Sequence, residues 1–283
     1  MTLPGKFPLP LRLSALLVAL AATAGAADGP KLEDSKRGCC RQDSADILRW
    51  HKNADRLYRQ FKPREAAGEL QKILQLDAGN FEALIKMARA FIDIGDQIPE
   101  SGADWKERKL KEYSVAEDYA HKAVRVDASS TWGHFWVAAS IGNIAMVSPL
   151  SKQLDLAVDI RDAVERAIAL DPNNGLAYHV YGVWHRKVAE IGGASRMLAS
   201  VVYGRSVPSA SLEKSVEYLK KAVALNPRII VSRLELARSY IATEQRPQAR
   251  AMLQAIPDLP IQFSDDAKHK EKAAQLLEEI KDN

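Results

Sequence analysis

The sequence predicts an all-α protein: a right-handed superhelical stack of about five antiparallel helix pairs, with insertions between paired helices and a final capping helix. Three observations predict it. A short closing signal recurs four times, as Leu76-Asp77-Ala78, Val126-Asp127-Ala128, Leu170-Asp171-Pro172 and Leu225-Asn226-Pro227. Each joins an apolar residue, a short polar residue and a residue that turns or ends the chain. Small or apolar residues recur at spacings of four and three on one face of the helices before and after each closure. In the first copy Ala54 and Ala66 are 12 residues apart, and in the last Ala237 and Ala249 are again 12 apart. Small side chains at such positions let two antiparallel helices approach closely.

The chain ahead of the repeats reads differently. Lys6 and Arg12 precede an apolar run from Leu13 to Ala22, and Ala24, Gly25 and Ala26 follow. That order is expected of a secretory signal peptide over residues 1–26. The stretch Leu13–Ala27 is 15 residues, against the roughly 20 that a spanning helix needs. The expected location is therefore exported, periplasmic or secreted, with a membrane anchor by an uncleaved segment as the alternative. Residues 27–43 read as a polar tether with vicinal Cys39 and Cys40, the two cysteines of the chain. Two adjacent thiols supply neither a disulfide framework nor a zinc site. The repeat domain is expected over residues 44–283.

Composition narrows the function classes. Apolar residues at 47% and charged residues at 27% fit a folded soluble domain. Loss of the leader removes Lys6 and Arg12 and no acidic residue, which lowers the formal charge from +4 to +2. Nucleic-acid binding calls for a concentrated basic face and is excluded as the main activity.

The helices follow in order. The first carries Trp50, Ala54 and Leu57, and the helix into the first closure Ala66, Leu70 and Ile73. Beyond it come Leu84, Ala88 and Phe91, then Ala116, Ala120 and Ala123. The third pair reads His134, Ala138 and Ile141 with Ile160, Val164 and Ala167; the fourth reads Tyr178, Gly182 and His185 with Ser215, Leu219 and Ala222. The fifth begins at Arg233, Ala237 and Tyr240. In the three middle pairs the matched residues are 28, 22 and 33 apart, so insertions of 16, 10 and 21 residues fall between their helices. Gly182, at mid-helix, implies a neighbour too near for a side chain; leucine there should overpack, while alanine should be mild. Pro257 and Pro260 then break the chain, and Asp265–Lys281 forms a terminal amphipathic helix through Ala273, Leu276, Leu277 and Ile280.

From Ile47 onward this pattern resembles the tetratricopeptide repeat. Four segments narrow the resemblance to the regulator of microtubule dynamics family: Met87-Ala88-Arg89-Ala90, Gly133-His134-Phe135-Trp136, Ala167–Pro172 and Tyr181–Tyr203 (YGVWHRKVAEIGGASRMLASVVY). The resemblance implies a binding and scaffolding protein without enzymatic activity. For a eukaryotic source it implies a microtubule-associated one.

The groove of such a superhelix is lined by the first helix of each pair. The stripe beside the packing residues gives Arg59, Arg89, Asn143, His179, Arg186, Lys187 and Arg238 as groove-binding candidates. A cationic majority on a concave wall suits an acidic peptide or an anionic lipid headgroup. The competing expectation pairs these cations with Asp55, Asp93 and Glu190. Tyr181 and Trp184 are expected in the core. His179 and His185, six residues apart, point about 240° apart on one helix. Without H-E-x-x-H or C-x-x-C no metal is expected, and His134 and His185 fall in packing slots. Neither a cofactor motif nor G-x-S-x-G is present, so no enzyme is expected. The insertion 191–211 carries Gly192-Gly193 and then Met197, Leu198, Val201, Val202 and Tyr203. A helix near Ser195–Tyr203 is expected, either packed on neighbouring repeats or contacting a partner or membrane. The functional expectation is a non-enzymatic protein-binding scaffold; the alternative is a carrier of a small amphipathic or anionic lipid.

Overall fold

The structure, a computed structural model, describes residues 33–191 and 208–281, with side chains from residue 43 onward. The expected leader over 1–26 and the expected helix at 195–203 lie outside the described residues. The chain divides into two units, Met1–Arg41 and Gln42–Asn283, and the second holds the repeats.

The described residues form eleven α-helices and no strand. They are α1 (Glu33–Arg59), α2 (Pro63–Leu76), α3 (Phe81–Asp96), α4 (Trp105–Val126), α5 (Thr131–Val147) and α6 (Leu150–Leu170), followed by α7 (Gly175–Ala189), α8 (Leu212–Leu225), α9 (Ile230–Ala242), α10 (Arg246–Gln254) and α11 (Asp266–Glu279). α1 starts ahead of the expected domain start at residue 44.

Each closure works locally. The amide of Asp77 donates to Ile73 O at 2.8 Å and so completes α2, while its carboxylate accepts the Gly79 amide at 3.1 Å. Asp127 and Asp171 repeat this on the amides of Ser129 and Asn173, both at 2.9 Å. The next helix is then capped by a side-chain oxygen: Asn80 accepts from Ala83 at 3.0 Å, Ser130 from Trp132 at 3.3 Å and Asn174 from Ala177 at 3.1 Å. A short polar side chain that bonds its own backbone two residues on, followed by a cap, reverses the chain between helices.

The reversals stack the pairs in two layers. α3, α5, α7 and α9 are successive neighbours in one layer. α4, α6 and α8 each pack on the first helix of their own pair and on that of the next. The small residues lie at these contacts: Ala66, Ala88, Ala116, Ala138, Ala237 and Ala249 are all buried. The first two expected insertions are taken up largely by longer helices. α4 runs 22 residues and α6 21, and Ser148-Pro149 alone separates α5 from α6. α11 packs on α9 and α10, as a terminal cap does.

Gly182 shows how tight the contact is. A Cβ there would stand 2.5 Å from Leu219 Cγ and 3.1 Å from the Leu219 backbone nitrogen. Its carbonyl accepts the Ser215 hydroxyl at 2.7 Å, which fixes α7 against α8. The mild outcome expected for alanine is therefore corrected, because a methyl group already collides with a fully buried leucine. Gly182→Ala should lower stability by about 1–3 kcal/mol and Gly182→Leu by more, read as Tm by circular dichroism. An alanine variant melting with the wild type would contradict this packing.

Candidate functional site

The inner layer brings the expected groove residues into three settings. At the first, Arg89 on α3 lays its guanidinium 3.7 Å from the centre of the Tyr58 ring on α1. The Phe263 ring faces the same guanidinium at 5.5 Å, so the cation sits between two aromatics. Among the described residues it has no carboxylate within ion-pair distance, and its Nε has no hydrogen-bond partner. Burial lowers its pKa to about 10. Arg59 is exposed in the last turn of α1.

One turn further along α3, Asp93 and Asp96 face the carboxylate of Asp265, the residue that precedes α11. Burial, then mutual repulsion among the three, holds Asp93 well above its ordinary range. Burial likewise raises Asp96 to about 6, opposed by the hydrogen bond that Tyr113 donates to it at 2.7 Å. Asp93 is thus not the partner of a groove cation. Asp55 accepts Lys86 at 2.7 Å instead.

The second setting is a charge network inside the wall. Arg186 donates to Glu190 at 3.0 and 3.2 Å and to Glu235 on α9. Glu235 also accepts Arg238. Burial opposes ionisation of Glu235, but the two guanidiniums outweigh it and hold its pKa below the ordinary value. Arg186 and Arg238 are groove cations in the sequence reading, and the structure commits both to carboxylates.

The third setting is an apolar cavity of about 280 Å³ between α5, α6 and α7, bordered by Asn143, His179 and Lys187. Phe135, Ile160, Val183 and Trp184 supply its apolar lining. Asn143 donates to Ala139 O at 3.0 Å. His179 Nδ1 lies 3.2 Å from Ser232 Oγ, and burial lowers its pKa to about 4. That Ser–His contact does not make a nucleophile: Ser232 is 1% exposed, and Glu235 is bound to two arginines. Lys187 is exposed at the rim.

The expectations for Tyr181, Trp184 and His185 resolve as packing. Tyr181 and Trp184 are buried, and the indole N–H of Trp184 donates to Ala157 O at 2.8 Å. His185 is buried against Tyr181 at 4.6 Å and accepts the Ser211 amide at 3.3 Å. His134, expected in a packing slot, is instead half-exposed and meets Ala128 O at 3.0 Å, while its neighbours Gly133 and Phe135 are buried. Sequence reasoning missed Tyr58, Asp96, Glu235 and Phe263. Glu235 carried a signal, an acid between two leucines in a buried stripe.

Fold and inner wall define a tetratricopeptide-type helical solenoid. Residues 50–281 match the family described as Regulator of microtubule dynamics protein 1-3, and the chain belongs to that family. Regulator of microtubule dynamics protein 1 of Bos taurus is 28% identical over 222 residues, covering 76% of this chain and 68% of that protein. The protein of the same name in Caenorhabditis elegans is 26% identical over 172 residues, covering 61% and 76%. Among solved structures, a thermophilic TPR protein of Thermus thermophilus superposes with a TM-score of 0.58 at 15% identity, covering 82% of this chain and 98% of that one. This last is a likeness of fold. The expected location, exported or periplasmic, does not hold: the family match and these relatives from cattle and nematode are proteins of cells that have no periplasm. No helix among the described residues is long and apolar enough to cross a membrane.

Two carboxylate sites should respond to pH in opposite directions. Glu235 has a depressed pKa, so its contribution is present above the ordinary carboxylate pKa and lost as pH falls through the folded value. Glu235→Ala leaves Arg186 without its buried partner and should cost about 3–5 kcal/mol at pH 7, with Glu235→Gln costing less. Asp96 has a raised pKa, so its contribution is full below about pH 4 and lost as pH rises through about 6. Asp96→Asn keeps an acceptor for Tyr113 and should stabilise the fold at pH 7 by on the order of 2 kcal/mol. Melting curves of both variants at pH 4 and 7 check these signs, and the Asp96→Asn gain should vanish at pH 4.

Proposed function

We propose that the protein is a non-enzymatic adaptor whose inner surface binds a peptide segment bearing carboxylates, with Arg89 as the anchor. The observation that carries this is the state of Arg89: a half-buried residue on the inner wall, stacked on Tyr58, with its Nε lacking a hydrogen-bond partner and no ion pair to a carboxylate among the described residues. A guanidinium in a partly dry concave site gains most from a planar anion that can take two of its N–H groups. Lys187 on α7 and Arg59 on α1, both exposed, add cationic charge to the first helices of their pairs. The relatives' name ties them to microtubule dynamics, and by extension the partner peptide belongs to a protein of that system.

A second reading, carriage of a small amphipathic ligand, has support from the apolar cavity between α5, α6 and α7 with Lys187 at its rim. Native mass spectrometry showing a reproducible lipid-sized adduct would favour it over the adaptor.

A fluorescent glutamate-rich peptide titrated into the full chain should bind with strong salt dependence. Arg89→Gln should weaken that binding about tenfold, the equivalent of ~1.4 kcal/mol. Equal binding by wild type and Arg89→Gln would remove Arg89 as the anchor.

A further inference from the structure

The partner site is already covered from within. After Pro257 and Pro260, the segment Ile261–Lys268, whose last three residues are the first turn of α11, leaves the C-terminal end of the solenoid and meets α3, in the second repeat. Phe263 faces the Arg89 guanidinium that Tyr58 supports. Lys268 donates to Asp96 O at 3.2 Å across 172 residues of sequence. The segment is shaped for this position: Asp266 accepts the amides of Gln262 at 2.7 Å and Phe263 at 2.8 Å, which folds the chain into a turn that presents the Phe263 ring. Gln262 ties the turn to Arg228 O at 2.9 Å.

The seam is nevertheless poorly matched. Arg89 Nε and Tyr58 Oη on the wall, and Ser264 Oγ on the segment, are buried without a hydrogen-bond partner, whereas Asp266 and His269 of the segment face each other at 3.9 Å. Unmade hydrogen bonds of buried groups are costly. The Asp265 carboxylate faces Asp93 and Asp96, and His269 stands 3.3 Å from it on its own segment. The same face therefore holds an aromatic on a cation, which attracts, beside three acidic groups whose mutual repulsion His269 offsets only in part. A surface of that kind suits a contact made to be exchanged.

We propose that Ile261–Lys268 is an intramolecular ligand of the inner wall, and that the wall accepts in its place a partner peptide in which an aromatic residue is followed by carboxylates. The aromatic takes the place of Phe263 on Arg89, and a carboxylate reaches the guanidinium that the chain's own segment leaves unpaired. This rests on the peptide-binding reading of Arg89 and adds to it the gate and the aromatic requirement.

The test uses the full chain and, as probe, a fluorescent peptide copying residues 259–270, with a scrambled peptide as control. A tethered segment competes at a high effective concentration, so wild type should bind the probe weakly. Phe263→Ala with Lys268→Ala should bind it about tenfold tighter, and adding Arg89→Gln should remove the gain. Lys268→Ala alone alters an exposed residue and should give a smaller gain in the same direction. A double variant with wild-type circular dichroism that binds no tighter than wild type would overturn the proposal. If the double variant fails to fold, a Lys268→Ala protein with unchanged probe affinity overturns it. A glutamate-rich peptide that binds all Arg89-containing forms equally keeps the groove reading and overturns the gate.

Discussion

Two antiparallel helices can lie close along their length only where neither places bulk at the crossing, and the architecture of this protein follows from that constraint. Ala88 with Ala116, Gly182 with Ser215 and Ala237 with Ala249 are the crossings, and all six are buried. The Gly182 crossing has no room for even a methyl group, because Leu219 fills the space from the other side. Close crossings keep each pair thin. Thin pairs stack with the first helices side by side, and that layer forms one wall running from α3 to α9.

The charge on the wall is decided by which cations find acids within it. Arg186 and Arg238 meet Glu235, a buried carboxylate whose ionisation the two guanidiniums secure. These charges hold α7 to α9. Arg89 is placed otherwise. Its neighbours are rings, it forms no ion pair with a carboxylate among the described residues, and its Nε has no hydrogen-bond partner. The distinction between a paired arginine and one stacked on rings is thus a matter of partners in space.

That distinction marks the limit of what the sequence alone conveys. The closures were legible because each is a local device: Asp77, Asp127 and Asp171 bond their own backbone two residues on, and residue type and order suffice to see it. The crossings were legible as spacing. The insertions were legible in length and not in form, since α4 and α6 absorb as helix what a shifted period can only register as extra residues. In the sequence Arg89 stands among the groove candidates on the same footing as Arg186, whose partner Glu235 lies 49 residues away. Phe263 and Lys268 meet α3 only once the solenoid has curved, a consequence of every crossing together and of no single motif.

The central claim is that the C-terminal segment rests on the inner wall and can be exchanged for a peptide. Its most direct measurement is a distance between spin labels at Ser114→Cys on α4 and Ile261→Cys on the segment, both exposed, with Cys39 and Cys40 replaced by serine. The account predicts one distance population in the free protein, and a second that grows as the peptide of residues 259–270 is added. A single population, unchanged at saturating peptide, would contradict it.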